Sequence, residues 1–292
     1  MSPACPAYHP KSARVGVVDV GGGLRGVFGA GVLDRCLDEG VAFGYCLGVS
    51  AGSGNMVAYL AGQRGRNRLF YTVYPRRKEY MSVRNLVRKG SYLDLDYVYS
   101  VLSNSDGEYP LDYDALLANP SSLTVVATDA ADGTPVYFRK SDLKRDDFGI
   151  LKASSGIPVA CRPCRWEGRV YFDGGIADPV PVERALSDGC ERVVVILTRP
   201  RDYVRSFKRD RLACRLLSAR FPRTAEALRL RALRYNLSVA RAKELEREGR
   251  ALIVAPDDCC GVDTLTRDPE SLERLYEKGY RAAEAALAFA AG

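Results

Sequence analysis

An α/β fold with a largely parallel sheet covered on both faces is what this sequence predicts, and three observations carry the prediction. Short apolar runs of strand length alternate with segments of helical apolar spacing. Two strand-to-helix junctions are glycine-rich, Gly21 to Gly26 and Gly48 to Gly52, as sharp turns at strand ends require. The strand-length runs are continuous rather than alternating, which suits strands with no solvent face.

The first strand reads from Arg14 to Val20 and leads into the first glycine loop. Val27, Ala30, Gly31, Leu33 and Leu37 then recur at helical intervals, predicting a helix from Val27 to Glu39. Val41 to Val49 reads as a buried strand, and Gly54 to Ala61 continues as a helix beyond the second glycine turn. The run from Arg64 to Tyr99 is basic and aromatic, without a clear repeat. Further strands are expected at Leu123 to Asp129, Pro135 to Arg139, Arg169 to Phe172 and Glu191 to Leu197. From Arg199 to Arg250 there are 16 Lys/Arg against 6 Asp/Glu, with leucines and alanines at helical spacing. Two or three amphipathic helices with basic outer faces fit this, one of them starting at Pro222. Ala251 to Ala255 reads as a last strand and Pro269 to Ala291 as a closing helix. No repeat or linker interrupts the pattern. The expectation is one domain over 14–292, with a core at 14–199 and a helical part at 200–292, after a disordered lead at 1–13.

At 292 residues, 47% hydrophobic and 27% charged, the chain has the composition of an ordinary globular protein. No apolar stretch is long enough to span a membrane. The nine cysteines form no disulfide framework, and Cys161 to Cys164 is a lone C-x-x-C without a second pair or histidine at zinc spacing. A reducing cytoplasm suits that pattern. The single histidine is His9, in the expected lead. A triad built on imidazole is therefore excluded in practice.

Gly48-Val49-Ser50-Ala51-Gly52 is a G-x-S-x-G turn between strand and helix, which presents Ser50 at a helix N-terminus as a candidate nucleophile. Gly21-x-Gly23-x-x-Gly26 has two readings. As a dinucleotide fingerprint it calls for an acidic residue about 20 positions on, where Leu47 to Ser50 stand instead. As an oxyanion hole it turns backbone N–H groups toward one point at the same sheet edge as Ser50. Without histidine, the base must be a carboxylate. Asp173, between a short strand and two glycines, is the best placed candidate; Asp129 and Asp19 are rivals, Asp19 with a more economical structural role, and Asp178 before Pro179 suits a turn or helix start.

These residues resemble the patatin-like phospholipases, a family of Ser-Asp dyad acyl hydrolases. The family's Asp-Gly-Gly-Gly-x-Arg-Gly block resembles Val20 to Gly26, its elbow matches Gly48 to Gly52, and its Asp-Gly-Gly/Ala block matches Asp173 to Gly175. A further block ending in proline resembles Ala153 to Pro158, and all four stand in the family's order. The resemblance extends from about Arg14 to Arg199, and the tail is similar to that of the bacterial branch. It implies a three-layer α/β/α fold with a mainly parallel sheet. It also implies a Ser50–Asp173 dyad, an oxyanion hole from Gly22, Gly23 and Leu24, Arg25 as a support of the loop or else a partner for a lipid phosphate, and no metal or cofactor. One departure is Val20, where the family carries an acidic residue; Asp19 stands one position earlier, on the other side of the strand.

The implied activity is cleavage of carboxylic ester bonds in lipids. A non-catalytic lipid-binding protein and an acyltransferase using the same dyad are the alternatives. The basic segments 64–89 and 199–250 suit peripheral contact with an anionic membrane, against the plainer reading of solvated helix faces. No nucleic-acid module accompanies the charge.

Overall fold

A computed structural model describes residues 15–292; the expected lead at 1–13, with His9, lies outside the described residues. The strands are β1 (Val15–Asp19), β2 (Tyr45–Val49), β3 (Ser122–Asp129), β4 (Pro135–Arg139), β5 (Cys164–Trp166), β6 (Arg169–Asp173), β7 (Arg192–Ile196) and β8 (Ala251–Val254). The helices of the first half are α1 (Val27–Asp38), α2 (Ala51–Leu60), α3 (Arg66–Thr72), α4 (Val83–Lys89), α5 (Tyr113–Ala118) and α6 (Gly149–Ser155). Those that follow are α7 (Val182–Ser187), α8 (Arg211–Leu217), α9 (Pro222–Arg247) and α10 (Pro269–Ala291).

The strands form one sheet in the order β5-β6-β3-β2-β1-β7-β8, with β4 also paired to β3. The sheet is mixed. Strands β3, β2, β1, β7 and β8 run parallel, whereas β4, β6 and β5 pair antiparallel at the other end. The largely parallel expectation thus holds for one side of the sheet only. On the antiparallel side β5 is three residues long and joined to β6 through Glu167 and Gly168, both at positive φ. Such a two-residue turn is the tight hairpin connection, but an Arg-Trp-Glu-Gly run announces it weakly.

Alternate strand residues enter different cores. Val17, Cys46, Val125 and Val194 pack with α1, α2, α6 and α10 residues such as Phe28, Met56, Leu151 and Tyr276. Val18, Leu47, Val126 and Val195 pack on the other face with Val182 of α7 and Tyr235, Val239 and Leu245 of α9. Helices therefore cover both faces, which is why the strands read as unbroken apolar runs. On the first face α1 and α10 cross at backbone contact. A Cβ on Gly279 would lie 2.0 Å from the Phe28 carbonyl oxygen, and one on Gly31 would lie 2.2 Å from that of Tyr276.

One edge of β3 positions the site. Ala127 pairs with both Val136 of β4 and Asp173 of β6, so those two strands lie on opposite edges of β3. The β2 pairing overlaps that of β4 and takes the β6 edge, ending at Val49 opposite Val126. The next β3 residue, Ala127, faces Asp173. The end of β2 and the end of β6 thus meet head to head, and Ser50 and Asp173 are brought together by register alone.

Candidate active site

Ser50 occupies the turn between β2 and α2 at φ 56°, ψ −128°. A non-glycine residue there costs on the order of 1–3 kcal/mol, so the surroundings must impose it. They do so with hydrogen bonds and close contacts. The Ser50 N–H donates to Ser154 Oγ at 2.8 Å, and that hydroxyl donates to the Val126 carbonyl at 2.6 Å. The Ser50 carbonyl accepts from the Ser53 hydroxyl at 2.6 Å. A Cβ on Gly52 would lie 2.3 Å from the Asp19 carbonyl oxygen, so only glycine lets the elbow seat against β1.

The Ser50 hydroxyl donates to Asp173 Oδ2 at 2.5 Å, and both residues are buried. Asp173 Oδ1 accepts the Gly175 N–H at 2.8 Å, which fixes the carboxylate's orientation. Burial raises the Asp173 pKa; Arg231, the Ser50 hydroxyl, the Gly175 N–H and Arg205 pull it back. A serine hydroxyl held on a desolvated carboxylate can lose its proton as it attacks an electrophile. The rival carboxylates are occupied elsewhere. Asp129 pairs with Arg169 at 2.7 Å, and Asp178 accepts the Tyr137 hydroxyl at 2.7 Å.

Asp19 is where the structure departs from the strand-alternation argument. Its side chain is fully buried, takes the Gly21 N–H on Oδ1 at 2.9 Å and takes Asn55 Nδ2 on Oδ2 at 2.8 Å. Asn55 also reaches the Gly26 carbonyl at 2.9 Å, so Asp19 and Asn55 brace both ends of the glycine loop. Burial pushes the Asp19 pKa up to about 6 against those two hydrogen bonds. Asp19 thus supports the loop that an acidic residue at position 20 was expected to support. The signal was present as a lone asparagine in an apolar stretch of α2.

Within the loop, Gly22 and Gly23 have positive φ, and their N–H groups make no hydrogen bond among the described residues. Leu24, expected as a third donor, instead gives its N–H to the Thr264 carbonyl at 3.0 Å. Arg25 is buried and donates to Asp263 Oδ1 at 2.6 Å and to Thr264 Oγ1 at 3.0 Å. It ties the loop to the segment before α10. Cys161 and Cys164 do not share a site: one thiol donates toward the Leu93 carbonyl and the other toward that of Gly149.

Two cavities meet at Ser50, sharing Gly23, Ser50 and Ile157. One, of about 60 Å³, is apolar and aromatic, with Phe70, Tyr71, Tyr80, Leu95 and Tyr99 in its lining. The other, of about 250 Å³, is lined by Asp173, the glycine loop and Arg25, Arg199, Arg205, Arg209 and Arg231. The expectation that arginines of 199–250 form outer faces is therefore corrected in part. Arg199, Arg205 and Arg231 turn inward, Arg231 from α9 and the other two from the irregular stretch between β7 and α8. Segment 64–89 is likewise divided. Arg66 is buried against the Phe70 ring at 4.1 Å, and Arg64 and Arg77 pair with Asp38 and Glu108. Val83, Leu86 and Val87 of α4 are exposed beside Arg84, Arg88 and Lys89.

Comparison with known proteins gives a family match. Residues 20–186 match the family described as patatin-like phospholipase, and residues 221–289 match a domain of unknown function, DUF6363. The uncharacterized protein YjjU of Escherichia coli K12 is 34% identical over 195 residues, covering 65% of this chain and 53% of that protein. An uncharacterized NTE family protein of Mycobacterium tuberculosis H37Rv is 38% identical over 63 residues, 22% of this chain and 16% of its own. The chain thus spans about half of YjjU and less of the mycobacterial protein. The crystal structure of VipD from Legionella pneumophila aligns over 94% of this chain and 67% of its own, at 15% identity and a TM-score of 0.48.

Proposed function

The chain belongs to the patatin-like phospholipase family, and from that premise we propose that it is a serine acyl hydrolase acting on lipid esters through Ser50 and Asp173. The observation that carries this reading is the 2.5 Å hydrogen bond from the Ser50 hydroxyl to buried Asp173, beside a glycine loop with two unengaged N–H groups. The helix–sheet–helix arrangement is read as the family's three-layer fold.

In the proposed reaction Ser50 Oγ attacks the ester carbonyl carbon while its proton passes to Asp173. The Gly22 and Gly23 N–H groups receive the developing oxyanion, each such donor being worth roughly 3 kcal/mol. Collapse of the tetrahedral intermediate expels the alcohol, which takes the proton from Asp173 and leaves an acyl-serine. Water then attacks the acyl carbon with Asp173 again as base, releasing the acid and restoring the hydroxyl. The strained Ser50 backbone keeps Oγ at the junction of the two cavities, so the acyl chain and the alcohol part lie on opposite sides.

Labelling with a fluorophosphonate probe and peptide mapping tests the assignment. Modification at Ser50, lost in Ser50→Ala, is the expected result. Full esterase activity in folded Ser50→Ala rejects it, and absence of both labelling and hydrolysis points to a lipid-binding role.

Among the described residues no helix is long and apolar enough to cross a membrane. Access to lipid is proposed to come from peripheral contact, with exposed Val83 and Val87 of α4 and Leu212 and Leu216 of α8 among surface arginines. Co-sedimentation with anionic vesicles but not neutral ones is expected; equal pelleting counts against it.

A further inference from the structure

The arginines of the larger cavity are more numerous than their partners. Arg25, Arg199 and Arg209 share Asp263, at 2.6, 3.2 and 3.9 Å. Arg205 and Arg231 share Asp210, at 3.0 and 3.7 Å. The third carboxylate of the lining, Asp173, is engaged by Ser50. Five guanidinium groups therefore divide two carboxylates around one small volume.

Their hydrogen-bonding capacity is also unfilled. Nε of Arg25, Arg199, Arg205 and Arg231 is buried without an acceptor among the described residues. Arg231 donates no hydrogen bond there at all, although only 23% of its side chain is exposed. A buried guanidinium carries five donors and normally finds acceptors for them. Burial and a neighbouring guanidinium lower the pKa of both Arg25 and Arg231, with Arg199 acting on the first and Arg205 on the second. An anion placed among them relieves that repulsion.

We infer that this cavity is a subsite for a phosphomonoester, so that the acyl esters hydrolysed at Ser50 carry a terminal phosphate head group. The second half of this statement rests on the hydrolase reading; the first half does not. A phosphomonoester supplies close to two charges and three strong acceptor oxygens at neutral pH, and guanidinium forks match phosphate geometry. A carboxylate brings one charge and leaves the excess standing. A phosphocholine head places a cation against the same arginines, and like charges brought together in a desolvated pocket are repelled. The apolar cavity on the other side of Ser50 receives the acyl chain, and Gly22, which lies against Arg25, receives the carbonyl between them.

The test uses this chain and two ether lipids that carry no carboxylic ester, 1-O-octylglycerol 3-phosphate and its phosphocholine counterpart. Equilibrium binding is expected to favour the phosphomonoester by tenfold or more. That ratio is expected to fall about tenfold in Arg205→Gln and about threefold in Arg209→Gln, whose half-exposed side chain does not hold the fold together. Equal affinity for the two ethers, or a ratio unmoved in both variants, overturns the proposal. Inorganic phosphate binding as tightly as the ether phosphate overturns the lipid part and leaves a free-anion site. Selective binding without hydrolysis of any octanoyl ester supports the subsite and rejects the hydrolase reading instead.

Discussion

The floor and the wall of the cleft come from different parts of the chain and are built on different principles. The floor consists of the Ser50 elbow, the glycine loop and Asp173, held by backbone register and short hydrogen bonds, most of them within residues 19–175, with Thr264 bracing the loop from outside. The wall consists of long arginine side chains from 199–231 and the 263–264 segment, held by shared carboxylates. A floor made of backbone holds its atoms in fixed places. A wall made of guanidinium groups fixes charge and leaves shape adjustable. The two ought therefore to fail in different ways.

The floor is expected to fail in rate. Ser50→Ala and Asp173→Asn should each reduce kcat on a small neutral ester by at least about a thousandfold, with unfolding transitions close to that of the parent. A loss of less than tenfold in either removes that residue from the chemistry. Asp19 tests the floor through stability. Its carboxyl holds a proton in the folded state up to about pH 6, whereas the unfolded value is near 3.8. The folded state is thus favoured most below pH 4 and loses about 3 kcal/mol of that contribution as pH rises through 6. The stability gap between the parent and Asp19→Asn, measured in urea, should narrow by that amount over the interval; a constant gap contradicts the raised pKa.

The wall is expected to fail in pH dependence and selectivity. Arg231 lowers the pKa of Asp173, so Arg231→Met should move the acid limb of kcat/KM to higher pH. An unmoved limb means that Asp173 is not the titrating base. The smallest effect concerns the apolar cavity of about 60 Å³. A series of p-nitrophenyl esters should favour short acyl chains, and trimming half-buried Leu95 to Ala should shift the optimum longer by a severalfold change in ratio.

What was legible in the sequence follows the same division. Ser50, Asp173 and the glycine loop lie at strand ends, where turn chemistry restricts residue type, and the strand and helix periodicities foretold the main elements. Pro222 and Pro269 each open a helix as proline at the first position should. Asp19 reads as structural, but its reach to the loop was not legible, because alternation describes where a side chain leaves the backbone, while a carboxylate at a strand end can turn forward to the amide two residues on. Ser154 and Asn55 act through buried polar contacts that no spacing rule announces. The inward arginines were hidden for another reason. Arg231 stands on a helix with arginine on most turns and no unique polar face, while Arg199, Arg205 and Arg209 lie in the stretch before α8, whose path no periodicity gives.

The close crossing of α1 and α10 has a consequence in time. The face of α1 that meets Tyr276 and Gly279 belongs to the helix that directly follows the glycine loop, yet its partner, α10, is synthesised only after β8. Thr264, which holds the Leu24 N–H, also emerges late. Since chains begin folding as they leave the ribosome, the loop stays without its lateral support until translation has passed β8. A nascent chain halted before Pro269 should be cut rapidly by protease near α1 and be inert toward esters, whereas a chain that includes α10 resists. On the hydrolase reading, activity is then withheld until α10 has been made.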